Sequence, residues 1–227
     1  MLRILHIETA STQCSVSVSE NDKVIALQEI NAGYTHAENL HLFVKAALDA
    51  CSLKTSDLHA IAVSRGPGSY TGLRIGMSAA KGLAFALNIP LIALDTLQIM
   101  AIQARERCPD AAYYCPMLDA RRMEVYTALY DKHIQALRAT EALIVNPESL
   151  ENYRAFEAVC FFGDGMNKCK SLLSELKNPL FAEGIFPSAA FMPGLALEKY
   201  QKGLFEDKAY CEPLYLKDIL IKSKKGI

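Results

Sequence analysis

The first hundred residues alternate between strand and helix patterns in an order that restricts the fold strongly. Three strand patterns come first and are followed by helix, strand, helix and strand, at residues 2–7, 14–18, 24–30, 35–51, 60–63, 71–87 and 91–94. Within the first helix pattern, Leu40, Val44 and Leu48 recur at helical spacing. Strands that alternate with helices pair in parallel through right-handed crossovers. We therefore expect three antiparallel strands extended by two parallel ones.

A second α/β unit begins near Ala111. Strand patterns occur at residues 114–118, 125–130 and 158–162, and a helix is expected to begin near Asn167. Residues 188–203 also have a helical pattern, in which Pro193 either begins the helix or breaks it. The predicted architecture is α/β with two ribonuclease-H-like lobes. The first spans residues 1–108, and the second, which is reduced, spans residues 109–227.

Composition limits the classes of function. The 227 residues are 51% hydrophobic and carry a formal net charge of -1, so no basic excess marks a nucleic-acid-binding face. The seven cysteines form no CxxC pair, which is typical of free thiols in a reducing compartment. No apolar stretch is long enough to span a bilayer. We expect a cytoplasmic protein without membrane contact, whose basic end at residues 222–225 is solvated.

The segment at residues 64–76, SRGPGSYTGLRIG, joins a strand pattern to a helix pattern. Its glycines and hydroxyl groups permit two interpretations. Successive N–H groups at the start of the helix could hold an anion. Alternatively, the glycines make a tight turn, and Ser69 or Thr71 caps the helix. Because the segment lacks the Lys-Ser/Thr pair of a P-loop, its composition favours the capped turn.

Five motifs spread over the chain resemble those of one family. RGPGSYTGLRIG at residues 65–76 is similar to the signature of the TsaB family, and four further matches follow the family's order: IETAS near the start, HAENL at 36–40, LDARRMEVY at 118–126 and PLYL at 213–216. The resemblance implies an actin-like ATPase (ASKHA) superfold. It also implies a non-catalytic subunit of the complex that makes threonylcarbamoyladenosine beside the anticodon of tRNA.

The resemblance further implies particular partners. A TsaD-type relative carries the catalytic metal and transfers the threonylcarbamoyl group, a TsaC-type synthase supplies that group, and a TsaE-type ATPase completes the set. The chain itself would need no cofactor, would meet tRNA indirectly and would also form a homodimer. The alternative is an actin-like ATPase or phosphotransferase with its own nucleotide turnover. A metallopeptidase is a weaker third possibility.

The expected nucleotide pocket departs from the pattern of the superfold. The first hairpin of such folds normally begins with Asp and Gly, because a glycine lets phosphate approach the backbone. Here Glu8 and Ala10 stand at these places, although Ser11 could still donate a hydrogen bond. Gly163 and Gly165 lie where such folds often contact adenosine, or simply form a turn. We expect a degenerate pocket and no catalytic residue.

Metal binding and nucleophilic catalysis are disfavoured by residue spacing. Two ligands on one face of a helix need i,i+4 spacing, but His36 has Leu40 at that position, and His41 lies about 140° round the helix. No Ser or Cys lies in a nucleophile-elbow pattern. The charged residues around Asp119 and Glu124 form either a site or an ion-paired turn, and we favour the turn.

The second helix, at residues 71–87, is apolar or small nearly all round. Gly72, Gly76, Ala80 and Ala84 recur every fourth residue, and only Arg74 and Lys81 interrupt the apolar surface. Such a helix is buried on both sides. Either the second lobe covers it, or a partner does. We expect a partner, either a second copy or the catalytic relative, on a surface that also includes Leu40 and Val44, with Gly76 as the point of closest approach.

Overall fold

The structure is a computed structural model that describes residues 1–33 and 35–217. The predicted basic end at residues 222–225 lies outside the described residues. Within the described part of the chain, no helix is long and apolar enough to cross a membrane.

The first sheet has the predicted strand order. Its five strands are β1 (Arg3–Glu8), β2 (Gln13–Glu20), β3 (Lys23–Asn31), β4 (Ala60–Gly66) and β5 (Leu91–Asp95), arranged β3-β2-β1-β4-β5. The first three strands pair antiparallel, whereas β4 is parallel to β1 and β5 is parallel to β4. The three-strand hairpin extended by two crossovers is thus confirmed.

Helices cover both faces of this sheet. On one face lie α1 (His36–Ala50) and α2 (Tyr70–Ala86), which share a core with Leu5, Ile7 and Val63. On the other face lies α5 (Pro193–Gln201), whose Ala196 packs in a core with Ile4 and Ile92. Alternate residues of β1, β4 and β5 therefore serve two separate cores. Helix α5 begins at Pro193, where the missing N–H costs nothing.

The second sheet repeats the topology of the first in a shorter form. Its strands are β6 (Tyr113–Asp119), β7 (Glu124–Asp131), β8 (Ala136–Ile144), β9 (Val159–Phe162) and β10 (Leu180–Ala182), in the order β10-β9-β6-β7-β8. A short 3-10 helix, Glu148–Asn152, precedes β9 at the place where α1 precedes β4 in the first sheet. The last strand has three residues. These differences make the second lobe the reduced one.

The two lobes share elements across the predicted boundary. Helix α3 (Thr96–Arg107) follows β5 and contributes Met100 to the core of the second sheet, and α4 (Met166–Leu173) covers the opposite face of that sheet. The chain then returns, because α5 packs beneath the first sheet. Within residues 109–217, α5 therefore packs with the first sheet rather than with the second.

Glycines set the position of α2 against the first sheet. A Cβ on Gly76 would overlap Thr9 Oγ1, and a Cβ on Gly72 would overlap the Thr9 carbonyl oxygen. The Thr9 hydroxyl donates a 2.8 Å hydrogen bond to the carbonyl of Gly72. The small residues of α2 thus permit the close approach of the turn between β1 and β2, a turn of the same chain.

The prediction that the side of α2 with Gly72, Gly76 and Ala80 faces a partner is therefore wrong. Gly72, Gly76 and Ala80 are buried against the chain's own sheet, and Leu40 and Val44 of α1 belong to the same core. The spacing of the small residues did mark a close approach, but the neighbour lies within the monomer. The side of α2 that bears Ile75, Ala79 and Phe85 is the one open to solvent or only half-buried.

Replacing Gly76 with Ala is expected to lower the free energy of unfolding by about 1–3 kcal/mol, because the added methyl group overpacks the contact with Thr9. Gly82→Ala is the matched control, since a Cβ there meets no atom within 4 Å. It should stabilise α2 by about 0.5–1 kcal/mol through helix propensity. Urea unfolding followed by circular dichroism measures both. Equal effects of the two substitutions would contradict this packing.

Candidate functional site

Glu8 ends β1 with its carboxyl group buried inside the chain. Its side chain is fully buried, and Oε1 accepts hydrogen bonds from Ala10 N at 2.6 Å and from the Ser64 hydroxyl at 2.8 Å. Burial raises the pKa of Glu8 to about 7, although both hydrogen bonds act in the opposite direction. The carboxyl group is thus held by neighbouring residues, with no path to solvent on which to meet a phosphate or its counter-ion.

The loop before α2 fills the space beside Glu8. Ser69 N donates a 2.7 Å hydrogen bond to the carbonyl of Ala10. A Cβ on Gly68 would overlap that same carbonyl oxygen, so the two backbones are already in contact. The Ser69 hydroxyl accepts from Gly72 N at 3.3 Å and caps the helix. Of the two interpretations of residues 64–76, the structure therefore shows the capped turn.

Ser11 also has a structural role. It is 5% exposed, and its hydroxyl accepts a 3.2 Å hydrogen bond from Gln13 N. Its carbonyl lies 2.8 Å from Nε2 of His36, which fixes the start of α1 against the turn. Glu8 and Ser11 thus belong to one buried turn between β1 and β2, which Gly68 contacts at Ala10 and in which Glu8 Oε2 has no hydrogen-bond partner. Sequence reasoning identified that Glu8 and Ala10 depart from the Asp and Gly usual in this superfold. It did not predict that the loop before α2 occupies the space beside Glu8.

Gly163 and Gly165 pack against β6. A Cβ on Gly163 would overlap the Met117 carbonyl oxygen, and Gly165 N donates a 2.9 Å hydrogen bond to that oxygen. Gly163 has a φ of +101°, in the left-handed region that favours glycine. Between them, Asp164 accepts a hydrogen bond from Asp119 N at 2.9 Å. These contacts account for the Gly-Asp-Gly sequence as a turn.

The charged segment after β6 is an ion-paired turn. Lys168 of α4 pairs with Asp119 and also donates a 2.6 Å hydrogen bond to the Glu124 carbonyl. Burial favours the protonated form of Asp119, but the bonds from Lys168 and Arg121 N outweigh it and hold the pKa of Asp119 below its usual value. Among residues 1–33 and 35–217, no group of three or more His, Cys, Asp or Glu side chains is placed to hold a metal ion.

An apolar groove runs between α1 and α2 on the outer face of the first lobe. Residues of both helices line it: Ala37, Leu40, His41, Arg74, Ile75, Ser78, Ala79, Gly82 and Leu83. Leu40 and Arg74 are thus the two residues of the predicted interface that line the groove. Phe85 lies three residues beyond Gly82 on the same stripe and is 77% exposed, and Leu42 of α1 is 63% exposed. Within the described chain, this is a helix pair whose outer face has apolar side chains but no covering element.

Arg74 and Lys81 hold the C-terminal part of the chain. Lys81 Nζ donates to the carbonyls of Ala209 at 2.9 Å and Cys211 at 3.1 Å. Arg74 Nε lies 3.3 Å from the Tyr215 hydroxyl. The two cations were expected at a partner surface, and of the two only Arg74 lines the groove. Sequence reasoning missed this segment as a structural element, although PLYL at residues 213–216 was one of the motifs.

The fold is that of the actin-like ATPases, with two ribonuclease-H-like lobes. The Listeria monocytogenes protein Lmo2764, whose name describes it as a candidate N-acetylmannosamine kinase, has a TM-score of 0.50 at 12% identity over 89% of this chain, a likeness that bears on the fold alone. The structure thus defines an actin-like protein in which the chain's own loop occupies the space beside the first hairpin.

Sequence comparison identifies the family. The model for "TsaD: tRNA N6-adenosine threonylcarbamoyltransferase" matches residues 30–183. The Escherichia coli K12 "tRNA threonylcarbamoyladenosine biosynthesis protein TsaB" is 31% identical over 223 residues, covering 96% of this chain and 95% of that protein. A Pseudomonas aeruginosa crystal structure described as similar to peptidase YeaZ has a TM-score of 0.82 at 27% identity, covering 96% and 100%. The chain belongs to the TsaB family, which confirms the resemblance of its motifs.

The buried carboxyl group of Glu8 should make stability depend on pH. The folded protein retains this proton up to about pH 7, whereas the unfolded chain releases it near pH 4.5, so the folded state binds more protons between these values. The stabilisation of the folded state by the protonated Glu8 carboxyl group is therefore complete below pH 4.5 and is lost as the pH rises through 7. Glu8→Gln keeps the group neutral at every pH.

Relative to the wild type, Glu8→Gln is expected to gain about 2–3 kcal/mol of stability between pH 5 and pH 8. Chemical denaturation at several pH values measures the difference. Glu38→Gln, at an exposed position of α1, is the control for the removal of one carboxylate. A Glu8→Gln variant whose stability runs parallel to the wild type would show that the carboxyl group is ionised in the fold.

Proposed function

We propose that this chain is a non-catalytic subunit of the machinery that forms threonylcarbamoyladenosine in tRNA, and that it acts by binding a TsaD-type catalytic relative. The observation that carries the proposal is the uncovered apolar groove between α1 and α2, in a protein whose pocket is filled. The names of the relatives, which describe threonylcarbamoyladenosine biosynthesis, support the pathway.

The state of the pocket supports a role without catalysis. A carboxylate that binds metal–nucleotide must be ionised and open to the ligand, whereas Glu8 is enclosed and its pKa is raised to about 7. The close contact between Gly68 and Ala10 also leaves no space between the loop before α2 and the first hairpin. We propose that the chain uses no cofactor of its own and that ATP and the catalytic metal are bound by other subunits.

The groove supports a helix pair as the docking element. Small residues along its floor, Ser78, Ala79 and Gly82, allow another helix to approach near the lower end of the usual 8–10 Å spacing. Phe85 extends from the end of the stripe and would provide an aromatic anchor. The match of a TsaD model to residues 30–183 supports a partner of related fold, which would carry a comparable helix pair.

We propose that the helix pair of the TsaD-type subunit occupies the groove and that a second copy of this chain competes for it. A TsaE-type ATPase would join the assembled pair, and tRNA would be contacted indirectly, since the chain carries a formal net charge of only -1. The cytoplasm is the compartment that we propose, because all seven cysteines, each within the described residues, are free thiols.

Ala79→Arg is expected to abolish both self-association and binding of the TsaD-type subunit, with a loss of affinity of at least tenfold. Ala79 is half-buried at the centre of the groove, so a long cation there obstructs a docked helix yet can reach solvent in the free chain. Light scattering gives the mass, calorimetry the affinity and circular dichroism the fold.

Ser171→Arg adds the same side chain to an exposed position of α4 in the second lobe and should bind as the wild type does. A folded Ala79→Arg protein with wild-type affinity for the TsaD-type subunit would place the interface elsewhere on the molecule.

A further inference from the structure

A segment without helix, and with one isolated bridge as its strand pairing, runs along one side of α2 and reaches the second lobe. We call residues 206–217 the strap. Its first residue, Glu206, donates an N–H to the carbonyl of Leu91 at 2.8 Å, and Leu214 N donates to the carbonyl of Arg65 at 2.6 Å. Of the strap residues, all of which are described, only Cys211 is buried. Its Sγ lies 3.7 Å from Met77 Sδ. The strap is therefore held by a few discrete contacts.

Arg74 belongs to both the groove and the strap. Its guanidinium lies 4.2 Å from the centre of the Tyr70 ring, and its Nε bonds the Tyr215 hydroxyl at 3.3 Å. The centres of the Tyr70 and Tyr215 rings are 5.1 Å apart. The same side chain lines the groove on its other side. Any helix that docks in the groove must therefore meet the residue that holds Tyr215.

The far end of the strap reaches the turn between β6 and β7. Lys217 pairs with the Glu124 carboxylate, and its Nζ lies 3.5 Å from the Ala120 carbonyl oxygen. Lys168 of α4 bonds the Glu124 carbonyl and Asp119. The strap backbone from Tyr215 to Lys217 thus connects the contact at Arg74, on the first lobe, to the charged turn of the second lobe.

We propose that the strap couples occupation of the groove to the position of the second lobe, with Arg74 and Tyr215 as the positioning pair. This inference rests on the proposed function, because the occupant is the helix pair of the TsaD-type subunit. Docking would remove water from the exposed guanidinium of Arg74. Loss of water strengthens its contacts with the Tyr70 ring and the Tyr215 hydroxyl, so binding tightens the strap. By reciprocity, a tighter strap favours binding.

Hydrogen exchange of the full chain, with and without the purified TsaD-type subunit, tests this coupling. Adding the subunit should slow exchange of the strap amides and of residues 120–124 by at least threefold. Tyr215→Phe should weaken affinity about 3- to 10-fold, the effect of losing one ordinary solvent-exposed hydrogen bond, and should remove the slowing. Tyr210→Phe is the matched control, since that side chain is 83% exposed on the same strap.

Lys217→Ala separates the two halves of the coupling. It should preserve the slowing at residues 206–215 but remove it at residues 120–124, because the ion pair with Glu124 is lost. If the wild-type chain binds the subunit while strap exchange stays unchanged, or if Tyr215→Phe binds as tightly as Tyr210→Phe, the coupling is refuted and the proposed function stands. If the wild-type chain does not bind the subunit, both fall.

Discussion

The turn between β1 and β2 rests directly on the first two turns of α2, and this contact fixes both the closed pocket and the open groove. Thr9 touches Gly72 and Gly76, and the carbonyl of Ala10 accepts from Ser69 N while it touches Gly68. Only residues without a side chain permit backbones to approach so closely. The contact excludes a ligand from the space beside Glu8, and it turns the opposite side of α2 towards solvent.

The consequence is a division of roles between two sides of one helix. The inner side of α2 joins the core of the first sheet, and its outer side forms the groove with α1. Its flank is occupied by the strap, which Lys81 and Arg74 hold at two places. An actin-like fold can function through such an outer surface, because association requires shape and apolar area rather than reacting groups.

Sequence patterns predicted the first lobe well because four of its five strands, β1, β2, β4 and β5, are buried along nearly their whole length. They missed β8, whose residues ALRATEALI are half-exposed without strict alternation, and α3, whose polar and apolar residues are mixed on every side. The side of α2 was misassigned for a physical reason: a helix that is apolar all round has no hydrophobic face from which its orientation can be read. The spacing of Gly72 and Gly76 indicated a close neighbour, but Thr9 lies more than sixty positions away in the chain.

The groove, rather than the pocket at Glu8, carries the proposed function. The most direct test replaces the chain in its own cells with Glu8→Gln or with Ala79→Arg and measures threonylcarbamoyladenosine in digested tRNA by mass spectrometry. Glu8→Gln keeps the enclosed pocket neutral and should maintain the modified nucleoside at the wild-type level, whereas Ala79→Arg should reduce it to the level of cells without the chain. The reverse result, in which a folded Glu8→Gln protein loses the nucleoside while Ala79→Arg retains it, would contradict the account and assign the function to the pocket.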